Sequence, residues 1–133
     1  MFILKKIENA KCNVPEPEYL TVGVAEIKMG EALKLSSGAL VVHGGDSDDA
    51  SPVYVAMADA DASATGVPAM RVIPEMVFEA DTSADCSAAV VGTKVTLASD
   101  GMSVTATTTK GIATIVDLNG AAASGDTILV RFA

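Results

Sequence analysis

Val91 to Phe132 reads VGTKVTLASDGMSVTATTTKGIATIVDLNGAAASGDTILVRF. Lys94, Thr96 and Ala98 alternate with Val95, Leu97 and Ser99, so one face is apolar at a period of two, the pattern of a half-buried strand. Ser99-Asp100-Gly101 follows, and then Met102, Val104 and Ala106 alternate with Ser103, Thr105 and Thr107. Asp-Gly between two alternating runs predicts a hairpin, because glycine accepts positive φ without strain. Lys110-Gly111 breaks the run, and Ile112 to Leu118 is β-branched and apolar on both faces, as a buried strand is. Asn119-Gly120 and Gly125-Asp126 are further turn signals. Thr127 to Phe132 turns Ile128, Val130 and Phe132 one way and Leu129 and Arg131 the other. The stretch predicts four short strands joined by tight turns.

A looser version of it stands earlier. Met29 to Val42 (MGEALKLSSGALVV) matches Val91 to Val104 (VGTKVTLASDGMSV). Gly30 answers Gly92, Leu33 and Leu35 answer Val95 and Leu97, and Gly38 answers Gly101. Pro52 to Ala58 then stands where Gly111 to Asp117 stands, and the Arg-bearing run Met70 to Ile73 stands where Ile128 to Phe132 stands. Two related four-strand units follow, at about 29–73 and 91–132. Two units are too few for a solenoid, so they predict an all-β fold, a compact small barrel or sandwich. At most one short helix fits: Ser83 to Val90 is compatible with one or two helical turns capped by Asp81, Thr82 or Ser83, or with coil.

The rest of the chain divides around these units. Tyr19 to Ile27 alternates as a strand with a soft middle, and Glu75 to Glu79 carries Met76 and Phe78 in strand-like alternation. Gly44 to Ala50 and Asp59 to Gly66 are polar, small-residue loops. Residues 1–18 differ from everything after them: Lys5, Lys6 and Lys11 make a basic end, and Pro15 and Pro17 favour an extended path. They predict an extended N-terminal arm ahead of a single β domain at 19–133.

At 133 residues the chain fits one domain able to bury a core without metals or disulfides. Alanine supplies much of the 50% hydrophobic content, so the core is smaller than that figure suggests. Aromatics are 4% and Trp is absent, which leaves few stacking platforms for bases or sugars. A net charge of −8 argues against nucleic acid and against an anionic membrane surface as partners. Cys12 and Cys86 are distant and in unlike contexts, as expected of two thiols in a reducing compartment. Met1 to Lys6 places apolar residues before basic ones, the reverse of a secretory signal, and no window suits a transmembrane span. These readings point to synthesis and residence in the cytoplasm, or to export by a route that leaves no mark in the sequence.

No catalytic, cofactor or metal site is expected. Asp46, Asp48 and Asp49, with Asp59 and Asp61, are the densest carboxylates, but the twelfth-position Glu and flanking helices of a calcium loop are missing. His43 is the sole histidine and shows no partnered nucleophile; its place at a strand end suggests surface. Gly44-Gly45 lacks the Lys-Ser/Thr and helix of a phosphate loop. Cys86 has no nearby cation to activate it. Met57, Met70, Met76 and Met102 lie on predicted strands and are expected in the core. A non-catalytic ligand- or protein-binding module is the competing class, and it would want exposed aromatics beside a groove.

Gly92, Val95, Gly101, Val104, Gly111, Ala113, Gly125, Asp126, Val130, Arg131 and Phe132, with the Gly30 to Leu40 run before them, resemble the pattern of bacteriophage capsid decoration (head cement) proteins of the lambda-like type. The resemblance covers roughly residues 20–133. It implies a small β-rich structural protein of a virion or prophage, made in the host cytoplasm. Such a protein self-associates, often as a trimer, and binds the major capsid protein on the exterior of an expanded icosahedral shell. It also implies an N-terminal arm ordered on the capsid, for which Lys5, Lys6, Lys11, Pro15 and Pro17 are the candidate contact residues. It implies no cofactor.

Overall fold

The computed structural model describes residues 1–8, 14–45, 50–120 and 122–132. Eleven strands run through them: β1 Phe2–Ile7, β2 Glu18–Leu20, β3 Ala32–Ser36, β4 Ala39–Val42, β5 Tyr54–Ala56, β6 Val67–Arg71, β7 Met76–Thr82, β8 Lys94–Val95, β9 Ser103–Val104, β10 Ala113–Asp117 and β11 Thr127–Arg131. The fold is all-β, and Ser83 to Val90 forms bends and a turn, without helix.

The strands make two rings of the same plan. In the first, β2, β6, β5, β3 and β4 follow one another by antiparallel pairing. A parallel bridge between Val22 and Leu40 returns β4 to the end of β2 and closes it. In the second, β7, β11, β10 and β8 are paired antiparallel in that order. Leu97 bridges Val104 beyond β8, and β9 then lies parallel to β7 at Asp81–Ser103 and Thr82–Val104. The registers also agree: Leu35 faces Leu40 as Leu97 faces Val104, and Ala56 faces Ala69 as Ile115 faces Val130. Each ring begins one strand before the units at 29–73 and 91–132, at Glu18 and at Met76. Closure leaves few exposed strand edges.

Alternation then sorts the side chains. Leu33, Leu40, Tyr54, Ala56, Val67 and Ala69 fill the first ring with Val22 and Ile27. The intervening residues Ala32, Val55 and Met70 face outward and join the core of the second ring, which holds Phe78, Leu97, Ile115, Ile128 and Val130. The corresponding outward positions of the second ring are Lys94, Thr114 and Arg131, none of them buried. The apolar set therefore marks the face on which the rings meet. Burying each large apolar side chain there contributes roughly 1.5–3 kcal/mol.

Main-chain hydrogen bonds stitch the same seam. Ala32 N donates to Gly101 O at 2.8 Å, and Gly45 N donates to Leu97 O at 3.0 Å. Gly101 has φ +67°, and a Cβ there would lie 3.0 Å from the carbonyl oxygens of both Ala32 and His43. The Asp100-Gly101 turn anticipated from sequence thus also docks one ring onto the other.

The N-terminal stretch departs from expectation. Phe2–Ile7 is no arm: it forms β1 at the sheet edge, antiparallel to β7, with a register shift between Leu4 and Lys6. Phe2 is 2% exposed, and its N–H donates to Gly30 O at 2.8 Å. Its ring lies 5.4 Å from that of Phe132, which in turn lies 5.5 Å from Phe78. The lysines suggested a detached basic end, but Phe2 and Leu4 bind this stretch to the body by packing. Residues 14–17 carry no ladder, since Pro15 and Pro17 lack the N–H that one needs, and pairing resumes at Glu18.

Candidate functional site

Of the residues expected to touch a shell, Lys5 and Lys6 lie on β1, and Pro15 and Pro17 lie just ahead of β2. Lys5 pairs with Glu79 at 2.8 Å and Lys6 with Glu8 at 3.7 Å, both lysines about half exposed. Arg131 reaches the other oxygen of Glu8 at 2.9 Å. Pro15 is half-buried and Pro17 exposed. Lys11 lies outside the described residues, as do Cys12, Asp46, Asp48 and Asp49.

At the mouth of the first ring, Glu18, Tyr54 and Arg71 form a three-way contact. The Tyr54 hydroxyl donates to Glu18 Oε2 at 2.6 Å, Arg71 Nε donates to Glu18 Oε1 at 2.7 Å, and the second Arg71 nitrogen donates to the Tyr54 oxygen at 2.8 Å. The guanidinium also sits 5.1 Å from the Tyr54 ring centroid. Hydrogen bonds from Arg71 and then Tyr54 hold the Glu18 carboxyl below the usual range. Burial, then the bond to Glu18, pushes the Tyr54 hydroxyl up. Tyr54 is the residue common to the ring core and this cluster, so the cluster locks β2 onto β5 and β6.

An apolar groove of about 300 Å³ runs beside β1, lined among others by Ile3, Leu4, Met29, Val55, Met57 and Met70. Met29 is 48% and Met57 41% exposed, so Met57 is a surface residue and only Met70 and Met76 are buried as expected. Tyr19, 68% exposed, faces Pro68 across the β2–β6 pair, and Met57 N donates to Pro68 O at 3.1 Å. Tyr19, Pro68 and Met57 thus continue the groove as an uncharged row across the first ring. The signal for this face was in the sequence, as Val55 and Met57 at alternate positions. Reading every strand methionine as core concealed it.

The titratable singletons have structural settings. His43 is 1% exposed, which corrects the expectation of a surface histidine, and its Nε2 meets the Ala50 carbonyl oxygen. Gly44 follows because a Cβ there would fall 2.2 Å from Ala98 O, and Gly45 after it takes a φ of +78°. Cys86 is a free, buried thiol beside Thr105 O at 3.5 Å; burial and then Asp85 push its pKa up, away from nucleophilic character. Among the described residues no group of three His, Cys, Asp or Glu side chains is placed to hold a metal. No helix among them is long and apolar enough to cross a membrane.

Comparison with known proteins places these features in one context. No family model matches the chain, and no curated protein matches it. Among solved structures it is similar to one described as the crystal structure of the head fiber gp8.5 N base in bacteriophage phi29, at 18% identity with a TM-score of 0.59. The alignment covers 88% of this chain and 94% of that one. At that identity the likeness is one of fold, shared over most of both chains.

Proposed function

We propose that this chain is a structural protein of a phage or prophage virion that sits on the outer surface of the capsid and stabilises it. The observation that carries the reading is the fold shared nearly end to end with the phi29 head-fiber base. The turn-and-strand resemblance to head decoration proteins, drawn from different evidence, supports the same class. Such a protein needs a stiff body and repeated modest contacts whose strength adds over many copies. The major capsid protein is its partner in this reading, with a homo-oligomer, a trimer by resemblance, as the unit that docks.

The N-terminal stretch remains the proposed contact segment, in revised form. Its anchored half presents Lys5 and Lys6 outward from β1, and Lys11, Pro15 and Pro17 follow in the connection to β2. Deleting residues 1–18 would remove β1 and Phe2 together, so truncation cannot separate binding from folding.

The test is co-sedimentation with shells of the major capsid protein encoded beside this chain, expanded and unexpanded in parallel. Saturable binding to expanded shells, weakened by Lys5→Glu with Lys6→Glu, supports the reading. Absence of binding to either shell overturns it and leaves the alternative, a non-catalytic binding module. The uncharged groove beside β1 is the observation that favours that second reading.

A further inference from the structure

We infer that Glu31 is a proton-operated fastener between the two rings: protonated, it holds the seam closed, and ionised, it loosens it. Glu31 stands immediately before β3 and is 3% exposed, although it is a carboxylic acid. Its Oε2 accepts one short hydrogen bond, from Lys28 N at 2.6 Å. Lys28, the cation that faces it, points its ammonium at Glu26 instead, 3.3 Å away. Burying a carboxylate behind a single neutral donor disfavours its charged form.

The location gives that proton its consequence. The Glu31 backbone is fixed to the first ring, where its carbonyl accepts from Ala56 N at 2.9 Å. The next residue, Ala32, donates across the seam to Gly101 O. The side chain lies against the same turn: the Cβ position of Gly101 is 3.3 Å from Glu31 Cγ. Asp100 of that turn, on the opposite ring, accepts from Met102 N at 3.0 Å and adds a second negative charge in the neighbourhood of Glu31.

Among the described residues, other charged groups near the seam have partners of their own. Asp59 accepts from Met29 N at 2.7 Å, and Asp81 pairs with the Met1 amine at 3.1 Å. The His43 ring is turned to the Ala50 carbonyl. Burial raises the Glu31 pKa most, the Lys28 N–H opposes, and Asp100 adds to the rise. A raised folded-state value contributes stability that is full below the ordinary glutamate range and is lost as pH rises through the raised one.

The experiment is thermal unfolding of wild type, Glu31→Gln and the exposed control Glu26→Gln between pH 4 and 8, with the carboxyl NMR signal of Glu31 followed in parallel. The expected result is a Glu31→Gln midpoint above wild type by a gap that widens as pH rises. Glu26→Gln should show no such widening. The Glu31 signal should titrate above the ordinary glutamate value of about 4.3. At pH 7, exchange of the Ala32 amide should slow several-fold in Glu31→Gln. A gap independent of pH, a Glu31→Gln protein less stable throughout, or a Glu31 signal titrating at or below the ordinary value would each overturn the assignment.

Discussion

Phe2 and Phe132 meet at the foot of the second ring, centroids 5.4 Å apart and planes inclined at 60°, so the first strand and the end of the last share one aromatic contact. Phe2→Ala removes this contact and opens a cavity beside Phe132. It should cost about 3–5 kcal/mol, read from denaturant titration. Lys5→Glu with Lys6→Glu, which loses two exposed ion pairs, should cost no more than about 1 kcal/mol each.

Tyr54→Phe keeps the ring in the core and deletes the hydroxyl between Glu18 and Arg71. A loss of about 0.5–1.5 kcal/mol in chemical denaturation is expected. A value near zero would mean that the Glu18–Arg71 pair closes over the gap.

Acid should act on Glu18 with the opposite sign to Glu31. Its carboxyl is held low, so its contribution is present above the ordinary carboxylate range and is lost as pH falls through the lowered value. Glu18→Gln should therefore flatten the acid limb of the unfolding midpoint below pH 4 and leave its slope between pH 6 and 8 unchanged.

Gly44→Ala forces a methyl group to 2.2 Å from Ala98 O, where backbone on both sides must separate. A destabilisation of about 1–3 kcal/mol is expected by thermal or chemical unfolding. Wild-type stability in this variant would show that the loop after β4 can move aside freely.

Cys86 should resist alkylation in the native protein at pH 8 and react promptly once urea unfolds it, followed by mass spectrometry of its peptide. Burial withholds both access and thiolate. Fast native labelling would imply that the turn around Ala88 and Ala89 opens readily.

The turns and alternations of Val91 to Phe132 were legible because each strand there is half-buried, and half-burial writes a period of two. Ile128, Val130 and Phe132 fall on one buried face for that reason. β7 was legible only at its start, through Met76 and Phe78 at alternate positions in Glu75 to Glu79. Val77 between them is fully buried as well, so that alternation gave no sign of the strand on which β1, β9 and β11 all pair. The ring closures were invisible, since each rests on a parallel contact at Val22 or Thr82 with nothing local to announce it. The lysines and prolines of residues 1–18 led to an extended arm, whereas Phe2 packs into the core. The groove was hidden because Met57 and Met29 are apolar residues left at the surface, a choice that hydropathy alone assigns to the core.

The placement of β1 also orders events during synthesis. Every strand of the first ring has been made by Arg71, and its core can assemble while the rest is still being translated. Phe2 leaves the ribosome before any of them, yet its partners Phe78 and Phe132 come afterwards. Its strand waits unpaired while the chain lengthens, and long-range pairings of this kind form slowly and expose apolar surface in the interval. A chain interrupted between the two rings would carry its earliest core residue uncovered until the final strand arrives.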